Sequence, residues 1–585
     1  MLNKKRDRNY WIFSIIWLVA ICFAAFLWHL GDTKLVDETE PLFAEAARQM
    51  TVTNNWITPY FNGETRFDKP PLIYWLMALG YKLWGVNEWA VRLPSALSAI
   101  ALTLMGFVTL NSFSIINPKL VDSYRQRQQL LLSAIIGSGM MTLNPHTIIW
   151  GRTGVSDMLL SGCMGTALFC FFWGYAREEK RDFWYLAFYV LLALAVLTKG
   201  PVGIVIPGLI IGCFLLYTGN FLQVCKELKL LQGAILFFVI TIPWYVLVLL
   251  QNGKTYWDSF FGYHNFQRFT DVVNGHEAPW YFYFLIVLGL FAPWSVYLPA
   301  AIANARWWRR SYWLKQPREN QLLLFAFFWF SCIFIFFSIS VTKLPSYVLP
   351  LVPAAAILVT ALWGDFIAKL RLKSAYFNYG MVAAIVLNLL LAVALAVGFY
   401  LAPNWIGKDP ATPKLSRLVA ESSLPISGAV VWGLLAVAIA ILLIRKNHWQ
   451  WIVGANLIGF LAFISFVLLP TTFFVDTHRQ IPLTQIASTI TQTQQGTEPI
   501  FMVGFKKPSL VFYTQQPVSF FKRRSDLRDY LDTTDFNSPT VLIVGRAKDI
   551  EKIVNISREE QSKIVSYGVY SLVRYPIVEI NLSEQ

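Results

Sequence analysis

The chain has 585 residues, of which 56% are hydrophobic, 16% aromatic and only 14% charged. Soluble domains carry about 25% charged residues, so most of this chain is not built to dissolve in water, and an ordinary soluble enzyme is excluded. The net charge of +15 does not point to nucleic acid, because basic clusters at 3–8, 124–128, 177–181, 226–229, 306–310, 369–373 and 445–448 recur with apolar segments in pairs between them, as when positive residues stay on the cytoplasmic side of a membrane.

In chain order, Tyr10–Leu30 ("YWIFSIIWLVAICFAAFLWHL") is long enough to cross a hydrocarbon core of about 30 Å as a helix. It lacks a small-residue cleavage site near its end, so it reads as a retained first span. Residues 31–88 form a long outer loop. Within it, "EPLFAEAARQM" places Leu42, Phe43, Ala46, Ala47 and Met50 on one helical face. The stretch "PPLIYWLMALGYKLW" (70–84) is too short to cross and reads as an interfacial helix rich in Trp and Tyr.

Further spans are expected near 92–112, 129–149, 157–175, 183–199, 201–218, 231–250, 280–301, 321–341, 345–363, 380–401, 427–445 and 450–470, about thirteen in all. With the N-terminus inside, an odd number puts the C-terminus outside. Two other outer loops cover 251–279 and 402–426. From about 471 onward, short β-rich runs ("IFMVGF", "SLVFYT", "TVLIVG", "IVSYGVYSLV") alternate with polar turns and a helix-like "RRSDLRDYL", the pattern of a small α/β domain outside the membrane. The expected fold class is therefore a polytopic α-helical membrane protein, with a transmembrane domain over 1–470 and an outer α/β domain over 471–585. The six cysteines lie in or beside apolar segments without CxxC spacing, against a disulfide framework or structural zinc site.

Charged groups at span edges are costly, which makes them functional candidates. They gather on the outer side: Asp37, Glu38 and Glu40 behind the first span, then Asp68 and Lys69 before the Pro70-Pro71 step. Arg152 and Asp157 follow, with Lys199 in "LTKGP", His264 and Arg268 in "YHNFQRF", and Lys343 and Tyr347 in "SVTKLPSYVLP". Acids that deprotonate an acceptor and cations that hold a phosphate suit transfer of a group from a phosphorylated lipid. On a blander reading Glu38 and Glu45 are solvated, Lys199 snorkels at a helix end, His276 is an ordinary loop histidine and Pro70-Pro71 starts an interfacial helix. That reading leaves the repeated pairing of acids and bases on one side unexplained. No Walker or Rossmann glycine pattern is placed to bind a nucleotide, so no nucleotide cofactor is expected.

The set "DETEPLFAEAARQM", "TPYFNGETRFDKPPLIYW", "GVNEWAVRLPSAL", "LTKGP", "QRF", "APW" and "TKLPSYVLPL" resembles the bacterial protein O-mannosyltransferase and lipid A aminoarabinose transferase group. The likeness runs over roughly the first 360 residues. These are integral membrane glycosyltransferases of the GT-C type that use a polyprenyl-phosphate-linked sugar. The number of spans and the outer C-terminal domain also look like the aminoarabinose transferase layout.

The resemblance implies an inner-membrane, multi-pass enzyme with a cytoplasmic N-terminus and a periplasmic C-terminal domain. Its acceptor would be a protein, lipid A or a glycolipid, and nucleic acid would not be a partner. The family's acid pair ahead of "FAE" falls on Thr39-Glu40 here, with Asp37 two residues earlier; the base lies between Asp37 and Glu40, and Asp37 is favoured. The second acid matches Asp157. Lys69, Arg268 and Tyr347 match the contacts to the lipid phosphate. A divalent ion, where the family holds one, would fall near Asp68 and an outer-loop histidine such as His264. The rival from another class is a transporter or flippase of lipid-linked sugars, which should carry its charged groups at mid-span on broken helices with repeat symmetry.

Overall fold

The protein is described by a computed structural model, covering residues 2–116, 126–260, 262, 277–371, 379–445, 448–552, 564–577 and 580. Away from water, a backbone must satisfy its own hydrogen bonds, which is why the apolar runs fold as helices. Among the described residues ten helices are long and apolar enough to cross a membrane, and the bent pair Phe282–Leu290 with Trp294–Asn304 makes eleven if counted as one span. That pair turns by 116° around Pro293, which has no N–H to continue the ladder.

The first part of the chain runs α1 (Leu2–Cys22), α2 (Thr39–Thr53), α3 (Leu72–Trp84), α4 (Glu88–Ser112), α5 (Gln126–Thr142) and α6 (Pro145–Gly151). It continues with α7 (Ser156–Ala176), α8 (Arg181–Lys199), α9 (Val202–Thr218), α10 (Phe221–Glu227) and α11 (Leu230–Tyr256). The two remaining expected segments, 129–149 and 201–218, appear as 17-residue helices, α5 and α9. The first ends early because Asn144 donates to Met140 O and Met141 O while its own side-chain oxygen accepts from Thr147 N. One amide thus stops α5 and caps α6.

At the centre of the bundle, the Pro345–Leu370 segment and α7 are almost wholly buried, whereas most residues of α11, Tyr379–Trp405 and Leu424–Ile444 are only partly buried or exposed. Asn388 of the Tyr379–Trp405 helix and Asn456 of the Trp451–Thr493 run exchange amide hydrogen bonds of 3.2 and 2.9 Å, and Tyr297 donates to the same Asn388 oxygen.

The 31–88 loop folds against one end of this bundle. Phe43, Ala46, Ala47 and Met50 of α2 are buried and Leu42 partly so. A two-stranded hairpin, β1 (Tyr60–Phe61) and β2 (Glu64–Thr65), follows, with Asn62 and Gly63 at positive φ in its turn. Helix α3 starts directly after Pro71 and spans 13 residues. It buries Ile73, Tyr74, Met77, Ala78 and Tyr81 while leaving Leu79, Leu83 and Trp84 outside, the two-faced pattern of an interfacial helix.

The last membrane-length helical run passes from Trp451 to Thr493 and ends as the helix beneath the C-terminal sheet. That sheet has five strands in the order β4-β3-β5-β7-β6, with β3 (Ile500–Val503), β4 (Val518–Phe521), β5 (Thr540–Gly545), β6 (Val565–Tyr567) and β7 (Tyr570–Pro576). Strand β3 is parallel to β4 and β5; β7 is antiparallel to β5 and β6. Alternation sends Ile500 and Met502 to one core with Leu483, Ile486 and Ile490, and Phe501 and Val503 to the other with Leu527 and Ile550. The "SLVFYT" run, expected as a strand, is instead part of a helix, Pro508–Thr514. Pro508 in its first turn is the local signal for a helix start.

Candidate functional site

Helix α2 enters the bundle end with a buried carboxylate. Glu40 is 1% exposed and Arg92, one turn into α4, is 4% exposed. Arg92 Nε and Nη2 donate to the two Glu40 oxygens at 2.9 and 3.0 Å. Val36 N–H (2.8 Å) and Gly154 N–H (2.7 Å) also donate to Glu40, so each oxygen accepts two bonds. The rest of the Arg92 fork donates to Leu30 O, Thr33 O, Thr33 Oγ1 and Lys34 O. Gly154 is required at this contact, because a Cβ there would lie 2.3 Å from Val91 Cγ1 and 3.0 Å from Val91 O.

One residue from Val36 stands Asp37, and three from Gly154 stands Asp157, so the Glu40 brace joins the backbone next to both. Asp37 is half-buried; its carboxylate accepts from Ser509 N at 3.0 Å and from Ser509 Oγ. Burial pushes its carboxyl above the usual carboxylate range, against the pull of the Ser509 bonds and of Lys507. The two acids read as solvated differ. Glu38 is 63% exposed with Lys507 Nζ 3.7 Å away, but Glu45 is buried in a fork from Arg48 with two bonds of 2.7 Å. Arg152 ties down the end of the first span by donating to Ala25 O, Trp28 O and His29 O.

A second cluster forms where α7, α8 and the turn before Pro345–Leu351 meet. Lys199 Nζ lies 2.6 Å from Asp157 Oδ1, the side chains being 15% and 17% exposed. Ser346 also hydrogen-bonds Asp157, and Lys69 is close enough to act on its charge. Lys199 Nζ sits 5.4 Å from the centre of the Tyr347 ring, and Lys343 Nζ donates to Ser340 O on the same turn. His146 of α6 holds that turn through Nε2–H to Pro345 O at 3.0 Å. Lys69, Asp157, Lys199 and Tyr347 are therefore brought together from four separate stretches of sequence. Their surplus of cationic groups on a partly open surface suits a phosphate.

Next to this, Asp68 accepts from Arg66 Nη2 at 2.7 Å and from Tyr74 Oη at 3.1 Å, with Lys69 Nζ at 3.6 Å. Burial and Asp68 itself push the Tyr74 hydroxyl upward, which keeps it a donor. Phe67 anchors the "DKPP" stretch by packing edge-on against Tyr256 of α11. Arg268, His264 and His276 lie outside the described residues. Among the described residues no three acid, histidine or cysteine side chains converge, and Asp68 is already engaged by Arg66 and Tyr74. The described residues alone do not make a divalent-ion site.

Sequence reasoning missed Arg92, Gly154, Arg66, Tyr74, His146, Ser346, Lys507 and Ser509. Arg92 had a signal, since an arginine inside an apolar segment is costly without partners. Ser509 had none: it is an ordinary residue 472 positions from its partner.

The profile of the dolichyl-phosphate-mannose-protein mannosyltransferase family matches residues 17–253, and that of the C-terminal domain of cyanobacterial RgtA-type glycosyltransferases matches residues 493–584. The undecaprenyl phosphate-α-4-amino-4-deoxy-L-arabinose arabinosyl transferase of Erwinia tasmaniensis is 30% identical over 417 residues, covering 70% of this chain and 68% of its own. The protein of the same name from Yersinia enterocolitica is 24% identical over 574 residues, covering 93% and 94%. In fold, the chain is similar to the crystal structure of ArnT from Cupriavidus metallidurans bound to undecaprenyl phosphate, with a TM-score of 0.73 at 21% identity over 96% of this chain and 98% of that one.

Proposed function

The chain belongs to the family of undecaprenyl phosphate-aminoarabinose arabinosyl transferases, and we propose that it moves a hexose or pentose from a polyprenyl-phosphate-linked donor to an acceptor on the outer face of the inner membrane. The observation that carries this reading is the partly open Asp157–Lys199 pair beside Lys69 and Tyr347, joined through Glu40 to the loop that bears Asp37.

In the proposed reaction Asp37 takes the proton of an acceptor hydroxyl or phosphate group, and the freed oxygen attacks the anomeric carbon. The new carbon–oxygen bond forms as the bond to the lipid phosphate breaks, and the electron pair leaves on that phosphate. Lys69, Lys199 and Tyr347, with Arg268, receive the released charge. Such preorganised donors act where the charge develops. Glu40 serves as the brace, since both of its oxygens are already filled. Acceptors of the family's kind are lipid A, a protein or a glycolipid. Clustering of the charged groups at one end of the bundle favours an enzyme over a flippase, whose charges belong at mid-span.

The orientation follows from the basic clusters: a cytoplasmic N-terminus and a C-terminal domain on the periplasmic side. A reporter fused after residue 585 should then be active outside the cytoplasm.

The test incubates purified protein with undecaprenyl phosphate-α-4-amino-4-deoxy-L-arabinose or dolichyl phosphate mannose and a membrane extract, and follows release of lipid phosphate and acceptor mass gain by mass spectrometry. Asp37→Asn should keep donor binding and lose about 10²–10⁴-fold in turnover. Transfer at the parental rate would remove Asp37 as base. Movement of intact donor across the bilayer without mass gain would make the protein a transporter.

A further inference from the structure

The loop that carries Asp37 is held from the C-terminal domain as well as from the bundle. Ser509, 1% exposed, gives both its N–H and its hydroxyl to the Asp37 carboxylate. Lys507 is only 6% exposed, a costly place for an ammonium, and its Nζ lies 3.7 Å from Glu38. Three other contacts seat the domain so that this turn stays in place. Tyr513 Oη accepts from Leu35 N at 2.9 Å and donates to Glu88 at 3.0 Å. Asn62, in the turn of the outer-loop hairpin, exchanges two bonds of 2.8 Å with Val518 of edge strand β4. Phe512, on the same short helix, is buried in the core of the bundle.

We propose that the Lys507–Ser509 turn of the C-terminal domain is part of the catalytic site, with Ser509 and Lys507 as positioning residues that aim the Asp37 carboxylate and set its basicity. The proposal rests on the reading of Asp37 as base. A domain that merely docked would need contacts along its edge, as Asn62 and Tyr513 supply; it would not need to spend both donors of a buried serine on one half-buried carboxylate. The charged and titratable groups facing Asp37 are Glu38 and Lys507 and Tyr570 of β7. Burial favours the protonated carboxyl, while the Ser509 bonds and Lys507 favour the carboxylate. Removing either therefore raises proton affinity further. A base works only when deprotonated, so the acid limb of the rate profile must move to higher pH.

The experiment uses the full chain in lipid nanodiscs. Protonation of Asp37 is read without substrate by carbodiimide–glycinamide labelling across pH, quantified by mass spectrometry of the Asp37 peptide. In Ser509→Ala and in Lys507→Gln the labelling midpoint should move to higher pH, and Ser509→Thr should bring it back. In the transfer assay with the two donors above, Ser509→Ala should lose about tenfold in turnover on the acid side, the scale of one hydrogen bond to a charged group. The KM for donor should hold within about twofold, because the phosphate contacts are untouched. A midpoint equal to the parent's in both variants, in protein that still melts with the parent, would overturn the proposal even if Asp37→Asn is inactive. If instead Asp37→Asn transfers at the parental rate, the base assignment falls, and the turn is a docking contact only.

Discussion

Two carboxylate–cation pairs stand at the same end of the bundle and differ in what they have left to offer. Glu40 and Arg92 are 1% and 4% exposed; every Glu40 oxygen accepts two bonds, and the Arg92 fork is spent on four further acceptors. Asp157 and Lys199 are 17% and 15% exposed, and Lys69 and Tyr347 stand beside them. A saturated pair can hold the chain in place but has no free lone pair or proton for a substrate. A partly open pair pays less to be desolvated and can exchange one partner for a phosphate. Exposure and valence, not charge, separate scaffold from chemistry here.

The largest effect should come from breaking the closed pair. Arg92→Met leaves Glu40 buried and uncompensated, and stranding a buried charge costs about 3–5 kcal/mol. Thermal unfolding in detergent should show a large fall in Tm, and much of the protein should fail to accumulate. Replacing Glu40 by methionine in the same chain should return part of that loss. A single variant melting with the parent would put Arg92–Glu40 in the same class as Asp157–Lys199.

The open pair should behave in the opposite way. Lys199→Ala and Lys69→Ala should melt close to the parent yet use donor poorly, with kcat/KM lower by about 10–100-fold, as expected for one hydrogen bond to a charged group. Arg268→Ala, outside the described residues, belongs in the same series. If Lys199→Ala instead unfolded like Arg92→Met, Asp157–Lys199 would be a structural pair and the phosphate-holding reading of Lys199 would lose its basis.

The same distinction explains how much could be read from the residues alone. Spans and the interfacial helix were legible because lipid imposes length and apolarity on any crossing segment, and strands β3 and β5 because a short continuous apolar run, "IFMV" or "VLIVG", marks a strand covered on both faces. The Pro508–Thr514 helix was not, since its β-favouring residues outweigh a single proline in a local reading. Asp157, Lys199, Lys69 and Tyr347 stand out in the sequence as charged or polar residues at costly positions, and the family resemblance puts Lys69 and Tyr347 on one phosphate while leaving Lys199 without a partner. Their meeting, and the filling of Glu40 by Arg92, depend on helix packing that no local pattern encodes. Glu45 shows the same limit: it looks like a solvated acid beside a span, yet Arg48 one turn later closes over it.

A third pair, in the C-terminal domain, lies between the two extremes and gives the smallest effect. The Glu498 side chain is 1% exposed but Arg574 is 32% exposed, so one partner is closed and the other still reaches water. Burial alone would raise the Glu498 carboxyl. Bonds from Arg574, Thr540 and Gln495 N–H outweigh it and hold the group below its usual value. The sign follows from that depression. The unfolded chain binds a proton to Glu498 more readily than the folded one, so the pair stabilises the domain above the unfolded pKa of about 4.3. The contribution is lost as pH falls through the lower folded value. Because Arg574 stays hydrated, Arg574→Met should cost on the order of 1 kcal/mol near neutral pH, far less than Arg92→Met. Hydrogen exchange of the β3 and β5 amides should show faster opening in the variant at pH 7, with the gap to the parent closing as the pH drops below 4. A gap that stayed constant down to pH 3 would mean that Arg574 acts through packing of its stem and not through Glu498, and partial exposure would then not rank the three pairs.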